Sequence, residues 1–106
     1  MIWYRVRDLD AARAFYAQIL GLEEVEAAAG SLVFRRGQAE IGLTQGEPEE
    51  DGPVAMIDVD DAKAEAERLR TEGVEVGIVL EFAGEIRILD VFDPDGNRIQ
   101  LAEDVQ

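Results

Sequence analysis

Two stretches of the chain carry the same signal. Val6-Arg7-Asp8-Leu9-Asp10-Ala11-Ala12 and Val59-Asp60-Asp61-Ala62-Lys63-Ala64 each close an alternating apolar run and open a helical one, with an offset of 53 residues between Asp8 and Asp61. A doubled strand-to-helix junction in 106 residues restricts the chain to two copies of one small module. Halves of about 50 residues bury too little surface to be stable apart, so the copies must fold against each other.

Around the first junction, Ile2, Tyr4 and Val6 alternate with Trp3, Arg5 and Arg7, the period of a strand with one face on a core. Asp8 suits an N-cap. Apolar residues then recur at Leu9, Ala12, Phe15, Tyr16, Ile19 and Leu20, predicting an amphipathic helix that Gly21 ends. Strand-like runs follow at 24–28, 31–35 and 39–45, broken at Gly30 and Gly37-Gln38. The segment from Gln45 to Pro53 is turn-forming and charged and reads as a linker. The second half repeats the order: a strand over 54–59, a helix capped by Asp60 or Asp61 and running to about Thr71, and strands over 74–82, 86–92 and 98–102. Asp93-Pro94-Asp95-Gly96-Asn97 forms the last turn, with Pro and Gly suited to its corners. The reading is α+β: one domain of two βαβββ modules, about 1–46 and 54–104, joined by a linker over 47–53.

The chain has no His and no Cys. Disulfides, CxxC metal sites and histidine-dependent triads are therefore excluded, and the single serine, Ser31, has no partner base. No glycine-rich phosphate loop fits, and Asp93-x-Asp95-Gly96 fails as a calcium loop because Val91 and Ala102 stand at the first and twelfth ligand positions. The formal charge of −14 argues against nucleic acid, whose phosphates need a basic surface, and is compatible with a cationic ligand. No apolar run is long enough for a membrane span, and the first residues lack the features of a signal peptide. A cytoplasmic location is the expectation.

The doubled strand, Val-x-Asp and helix with Phe15-Tyr16 and Leu20-Gly21, finished by Asp93-Pro94-Asp95-Gly96-Asn97-Arg98-Ile99-Gln100-Leu101, resembles the vicinal oxygen chelate superfamily of glyoxalases, bleomycin-resistance proteins and extradiol dioxygenases. The resemblance covers nearly the whole chain. It implies that each module forms a curved half-barrel with its helix outside, and that two modules enclose a cup lined by the sheet faces turned away from the helices. It also implies that a divalent ion, in members that use one, sits on cup-facing positions of each module's first and last strands. Those positions read Met1, Gly42, Val54 and Gln100 here, and only Gln100 offers an oxygen donor.

Alternation turns Trp3, Arg5, Met56 and Asp58 toward the cup, an apolar floor with a few fixed charges of the kind small-molecule sites use. With Arg87 as a candidate holder of an anionic group, and with Gln100, these are the expected ligand-binding residues. Arg5 and Asp58 could equally neutralise each other. Asp58 and Glu40 are weak candidates for a general base. The leading expectation is a metal-independent binding protein that sequesters a drug or metabolite, cationic or aromatic, as in antibiotic resistance, without a cofactor. The alternative is a lyase, isomerase or dioxygenase using one divalent ion through Glu40, Asp58 and Gln100. A homodimer is expected, with cups formed either within one chain or across the dimer.

Overall fold

The computed structural model describes residues 1–105. Module one contains β1 (Ile2–Val6), α1 (Leu9–Ala14) continuing into a π-helical turn (Phe15–Ile19), β2 (Glu23–Ala28), β3 (Ser31–Arg36) and β4 (Ala39–Gln45). Module two contains β5 (Ala55–Asp58), α2 (Ala62–Thr71), β6 (Val76–Phe82), β7 (Ile86–Phe92) and β8 (Arg98–Asp104). The strand orders are β1-β4-β3-β2 and β5-β8-β7-β6. In each sheet the module's first strand runs parallel to its last and the other neighbours are antiparallel. The α+β reading of two βαβββ modules with curved sheets holds.

The helix starts follow the sequence signal closely. Asp8 accepts from the amides of Asp10 and Ala11, and Asp61, rather than Asp60, caps α2 by accepting from the amide of Ala64. A second carboxylate arrives from β8: Glu103, only 8% exposed, accepts from the Ala62 amide. Two of the free amides at the start of α2 are thus satisfied. Ala62, Ala66 and Leu69 face the sheet, and Gly73, at φ 80°, ends the helix with the left-handed residue that this position favours.

The first helix departs from a simple α-helical stripe. Leu20 donates to the Phe15 carbonyl, so the last turn widens to i→i−5 spacing, and Leu22 closes the end by donating to Tyr16 six residues back. The wide turn brings both Phe15 and Tyr16 into the core, their rings edge-on at 5.2 Å, with Tyr16 stacked on Phe34 at 5.9 Å.

On the helix side of the sheets, Tyr4, Val6, Leu32, Phe34, Ile41 and Leu43 join Ile57, Leu89, Val91, Ile99 and Leu101 in one buried cluster. The modules share it. Polar clasps cross the seam: the Tyr4 hydroxyl donates to the Arg98 carbonyl and accepts from the Ala55 amide, and the Tyr16 hydroxyl donates to Asp93. Asn97 donates from its side chain to the Arg5 carbonyl. Asp93-Pro94-Asp95-Gly96-Asn97 is therefore more than a turn. Asp93, 5% exposed, accepts from the amides of Asp95 and Asn97, the Asn97 side chain and Tyr16.

The turn between β6 and β7 contains the one non-glycine residue with positive φ among those described, Ala83 at 53°, followed by Gly84 at 65°. Glu85 donates back to the Phe82 carbonyl across it, and hairpin turns of this kind need left-handed residues. Ala83→Gly removes a Cβ penalty but frees the unfolded chain, so a net gain of about 0.5 kcal/mol is expected. The denaturant midpoint measures it.

Candidate functional site

The site is read on the open face of the sheets, away from the helices. Pairing places Trp3 beside Gly42 and Arg5 beside Thr44 on β4, and Met56 beside Gln100 and Asp58 beside Ala102 on β8. These side chains alternate with buried Tyr4, Val6, Ala55 and Ile57, as the period of two requires. Trp3, Arg5, Met56, Asp58 and Gln100 therefore occupy the face expected of them.

Trp3 is fixed there by a missing side chain. A Cβ at Gly42 would overlap three atoms of the indole, so the ring lies flat across the β4 backbone while the residue stays 45% exposed. Val33, next to Gly42 on β3 and on the same face, is 6% exposed. The result is a flat aromatic surface seated on the sheet with its outer face open. Gly42→Ala should displace the indole outward at a cost within about 1 kcal/mol, because an exposed side chain can move. Trp3 is the only tryptophan, so a red-shifted fluorescence maximum with an almost unchanged denaturant midpoint is the expected result.

The charged residues mostly hold one another. Arg5 pairs with Glu49 of the linker at 3.6 Å, and not with Asp58. Arg5 lies at the end of the seam where Asn97 bonds its carbonyl. Asp58 lies at the other end, in a cavity of about 360 Å³ with Met56, Ala39 and the turn from Arg36 to Gln38. Glu40 takes two hydrogen bonds from the Arg35 guanidinium, at 2.8 and 3.2 Å. Gln100 donates to Asp90 at 3.1 Å. Arg87 stands on the helix side of its sheet, opposite Glu103 in register, and donates to Glu81 and Glu103. Its charge is directed away from the open face.

The open-face residues are divided among several cavities. Met56 and Glu40 line one of about 210 Å³ with Met1 and Ala55, and Asp58 also lines one of about 400 Å³ with Ile86, Ala102 and Asp104. None of the cavities described is lined by Trp3, Arg5 or Gln100. A cavity of about 420 Å³ lies elsewhere, between the linker and the last turn, over Tyr4, Phe92 and Arg98.

A divalent ion of the kind the family resemblance implies would need several oxygen or nitrogen donors. Met1, Val54 and Gly42 supply no side-chain donor, and no group of three or more Asp and Glu side chains among the described residues is gathered closely enough to hold a metal. The residues present do not fit the group. Nor is any helix among the described residues long and apolar enough to cross a membrane.

With paired βαβββ modules and an open sheet face bearing an aromatic platform, the molecule is a two-module chain of the vicinal oxygen chelate type. Residues 1–101 match the family model of the Glyoxalase/Bleomycin resistance protein/Dioxygenase superfamily, and the chain belongs to that superfamily. No curated protein matches the sequence. Among solved structures it is similar to a glyoxalase family protein from Bacillus anthracis, at 24% identity, TM-score 0.79, and coverage of 96% of this chain and 90% of that one. It is also similar to the fosfomycin resistance protein FosX from Listeria monocytogenes, complexed with Mn(II) and sulfate, at 22% identity, TM-score 0.80, and coverage of 97% and 86%. The bleomycin resistance determinant encoded on transposon Tn5 gives 18%, 0.79, and coverage of 99% and 96%. At these identities the likeness to the solved structures is one of fold.

Sequence reasoning missed the buried positioning residues. By local pattern Asp93 and Asn97 are turn residues and Glu103 lies just past the strand expected over 98–102, while their hydrogen bonds to Tyr16, Arg5 and Ala62 span 77, 92 and 41 positions. Local pattern carries no trace of contacts so distant. The only available signal was Asn97 itself, the sole asparagine of the chain.

Proposed function

We propose that the protein binds a small planar molecule, a drug or metabolite, and holds it without a metal ion and without transforming it, in the cytoplasm. The observation that carries this reading is the Trp3 indole laid flat on Gly42 with its outer face exposed. A stacked ring on a fixed aromatic surface gains about 0.5–1.5 kcal/mol beyond area burial, and a cationic ring gains further from the indole quadrupole. The chain's formal charge of −14 favours approach of such a cation. The alternative, a divalent-metal enzyme, would need Glu40, Asp58 and Gln100 to converge, whereas Glu40 is held by Arg35 and Gln100 by Asp90.

The test is a panel of planar aromatic compounds, cationic and neutral, scored by quenching of the single tryptophan and by thermal shift. A ligand at about 100 times its Kd should add about 2.7 kcal/mol of stability. Failure of every compound to quench or stabilise would remove the reading. Protein prepared without chelator and found to carry one tightly bound divalent ion per chain, needed for ligand binding, would replace it with the metal-dependent one.

A further inference from the structure

The open faces of the two modules have opposite chemistry. In module two, register lines up Leu80 on β6, Ile88 on β7, Ala102 on β8 and Asp58 on β5 as one row across the sheet. Their strand neighbours Leu89, Leu101 and Ile57 belong to the buried cluster, so the row itself lies on the open side. The corresponding row of module one is Ala28, Ser31, Thr44 and Arg5. One row is apolar and ends in an anion, whereas the other is small and polar and ends in a cation. A neighbouring row widens the apolar strip with Phe82 and Ile86 and ends in a second carboxylate, Asp104. Leu80 and Phe82 are 46% and 50% exposed, and contiguous apolar surface rimmed by charge is the mark of a binding surface. At the seam a cavity of about 400 Å³ opens among Asp58, Glu85 and Asp104, lined also by Ile86 and Ala102 of the strip. Arg36 shares an adjacent cavity with Asp58 but donates to the Leu20 carbonyl, and no ion pair joins it to Asp58. Asp90, on the other flank of the strip, is already held by Arg98 and Gln100.

We propose that this strip binds an amphipathic organic cation, a primary amine on an extended hydrocarbon chain. The chain lies along Leu80, Ile88 and Ala102, and the ammonium group meets Asp58. Shape and charge select this occupant. Neighbouring strands lie about 4.8 Å apart, so the row measures about 14 Å from Leu80 to Asp58, the form of a chain and not of a disc. Burial of hydrocarbon supplies the affinity, while the carboxylates at the seam fix the direction of the chain and reject a fatty carboxylate of equal length. The strip belongs to module two and the Trp3 indole to module one, so the proposal stands apart from the planar ligand at Trp3.

Isothermal titration calorimetry with n-alkylammonium ions and with octanoate, all below the concentrations at which they aggregate, tests it. Octylammonium should bind at one per chain, and octanoate should give no saturable heat. From butylammonium upward, affinity should rise about twofold per methylene, because the chain is half covered. Asp58→Asn should weaken octylammonium about tenfold, whereas Glu26→Gln, which removes one charge on β2 far from the strip, should leave it unchanged. Leu80→Ser should flatten the dependence on chain length, with far-UV circular dichroism showing the fold retained. No octylammonium binding, equal binding of octanoate, an affinity independent of chain length, or equal effects of Asp58→Asn and Glu26→Gln would each overturn the proposal. Quenching of Trp3 by planar compounds, measured on the same samples, separates such a failure from failure of the Trp3 reading.

Discussion

Asp93→Ala is expected to be the most damaging single substitution in the molecule, costing about 3–5 kcal/mol. The carboxylate is 5% exposed and accepts four hydrogen bonds. Its removal would leave the Tyr16 hydroxyl, the Asn97 side chain and two turn amides without their acceptor inside a packed seam. Stability of a domain this size is typically only about 5–15 kcal/mol, so the loss is a large share of the total. Urea unfolding followed by circular dichroism measures it. Tyr16→Phe should cost only about 1 kcal/mol, because Asn97 continues to bond the same Asp93 oxygen. The double-mutant cycle should then show strong coupling, since the tyrosine hydroxyl has nothing left to lose once its acceptor is gone. Additive effects of the two substitutions would show that the turn is held by packing and not by this carboxylate.

The consequence of that buried turn could not be read locally. Strand alternation in β1 and β5, the capping carboxylates Asp8 and Asp61, and the stopping glycines Gly21 and Gly73 act within a few residues, and the structure agrees with each. Side-chain direction on the strands was legible for the same reason, which placed Trp3, Arg5, Met56 and Asp58 on the open face. The first helix was harder: its apolar stripe predicts a regular amphipathic helix, whereas its last turn is π-helical and carries Tyr16, whose hydroxyl bonds Asp93, 77 residues away. Partners were the least legible. Arg5 and Asp58 occupy corresponding positions in the two modules, but Arg5 lies beside Asn97 and Asp58 beside the turn from Arg36 to Gln38, and Arg5 pairs with Glu49. Arg87 follows the odd alternation of β7 to the helix side, where Glu103 lies opposite. The Trp3 platform required knowing which β4 residue lies beside it, and Gly42 became meaningful only with the register.

Strong alkali should unfold the whole protein in one step through the seam between the modules. Both tyrosines of the chain, Tyr4 and Tyr16, are buried in that seam with their hydroxyls hydrogen-bonded across it. Burial raises the Tyr4 hydroxyl above the usual tyrosine value, with Asp93 adding to the effect. Burial, then the charge of Asp93 and the hydrogen bond to it, push Tyr16 well above that value. The fold thus favours the neutral phenols. Their contribution is complete below the unfolded tyrosine value of about 10 and is lost as pH rises from there toward the folded values, because in that window the unfolded chain has released protons that the folded chain retains. Unfolding free energy should therefore fall by about 1.4 kcal/mol per pH unit for each tyrosine while both remain protonated in the fold. Absorbance of tyrosinate reports these two residues and no others, so it should stay low on the native plateau and rise together with the loss of circular dichroism. Tyr16→Phe should remove about half of the slope. Tyrosinate forming near pH 10 with the fold intact would mean that the seam admits water and that the two hydroxyls do not clasp the modules.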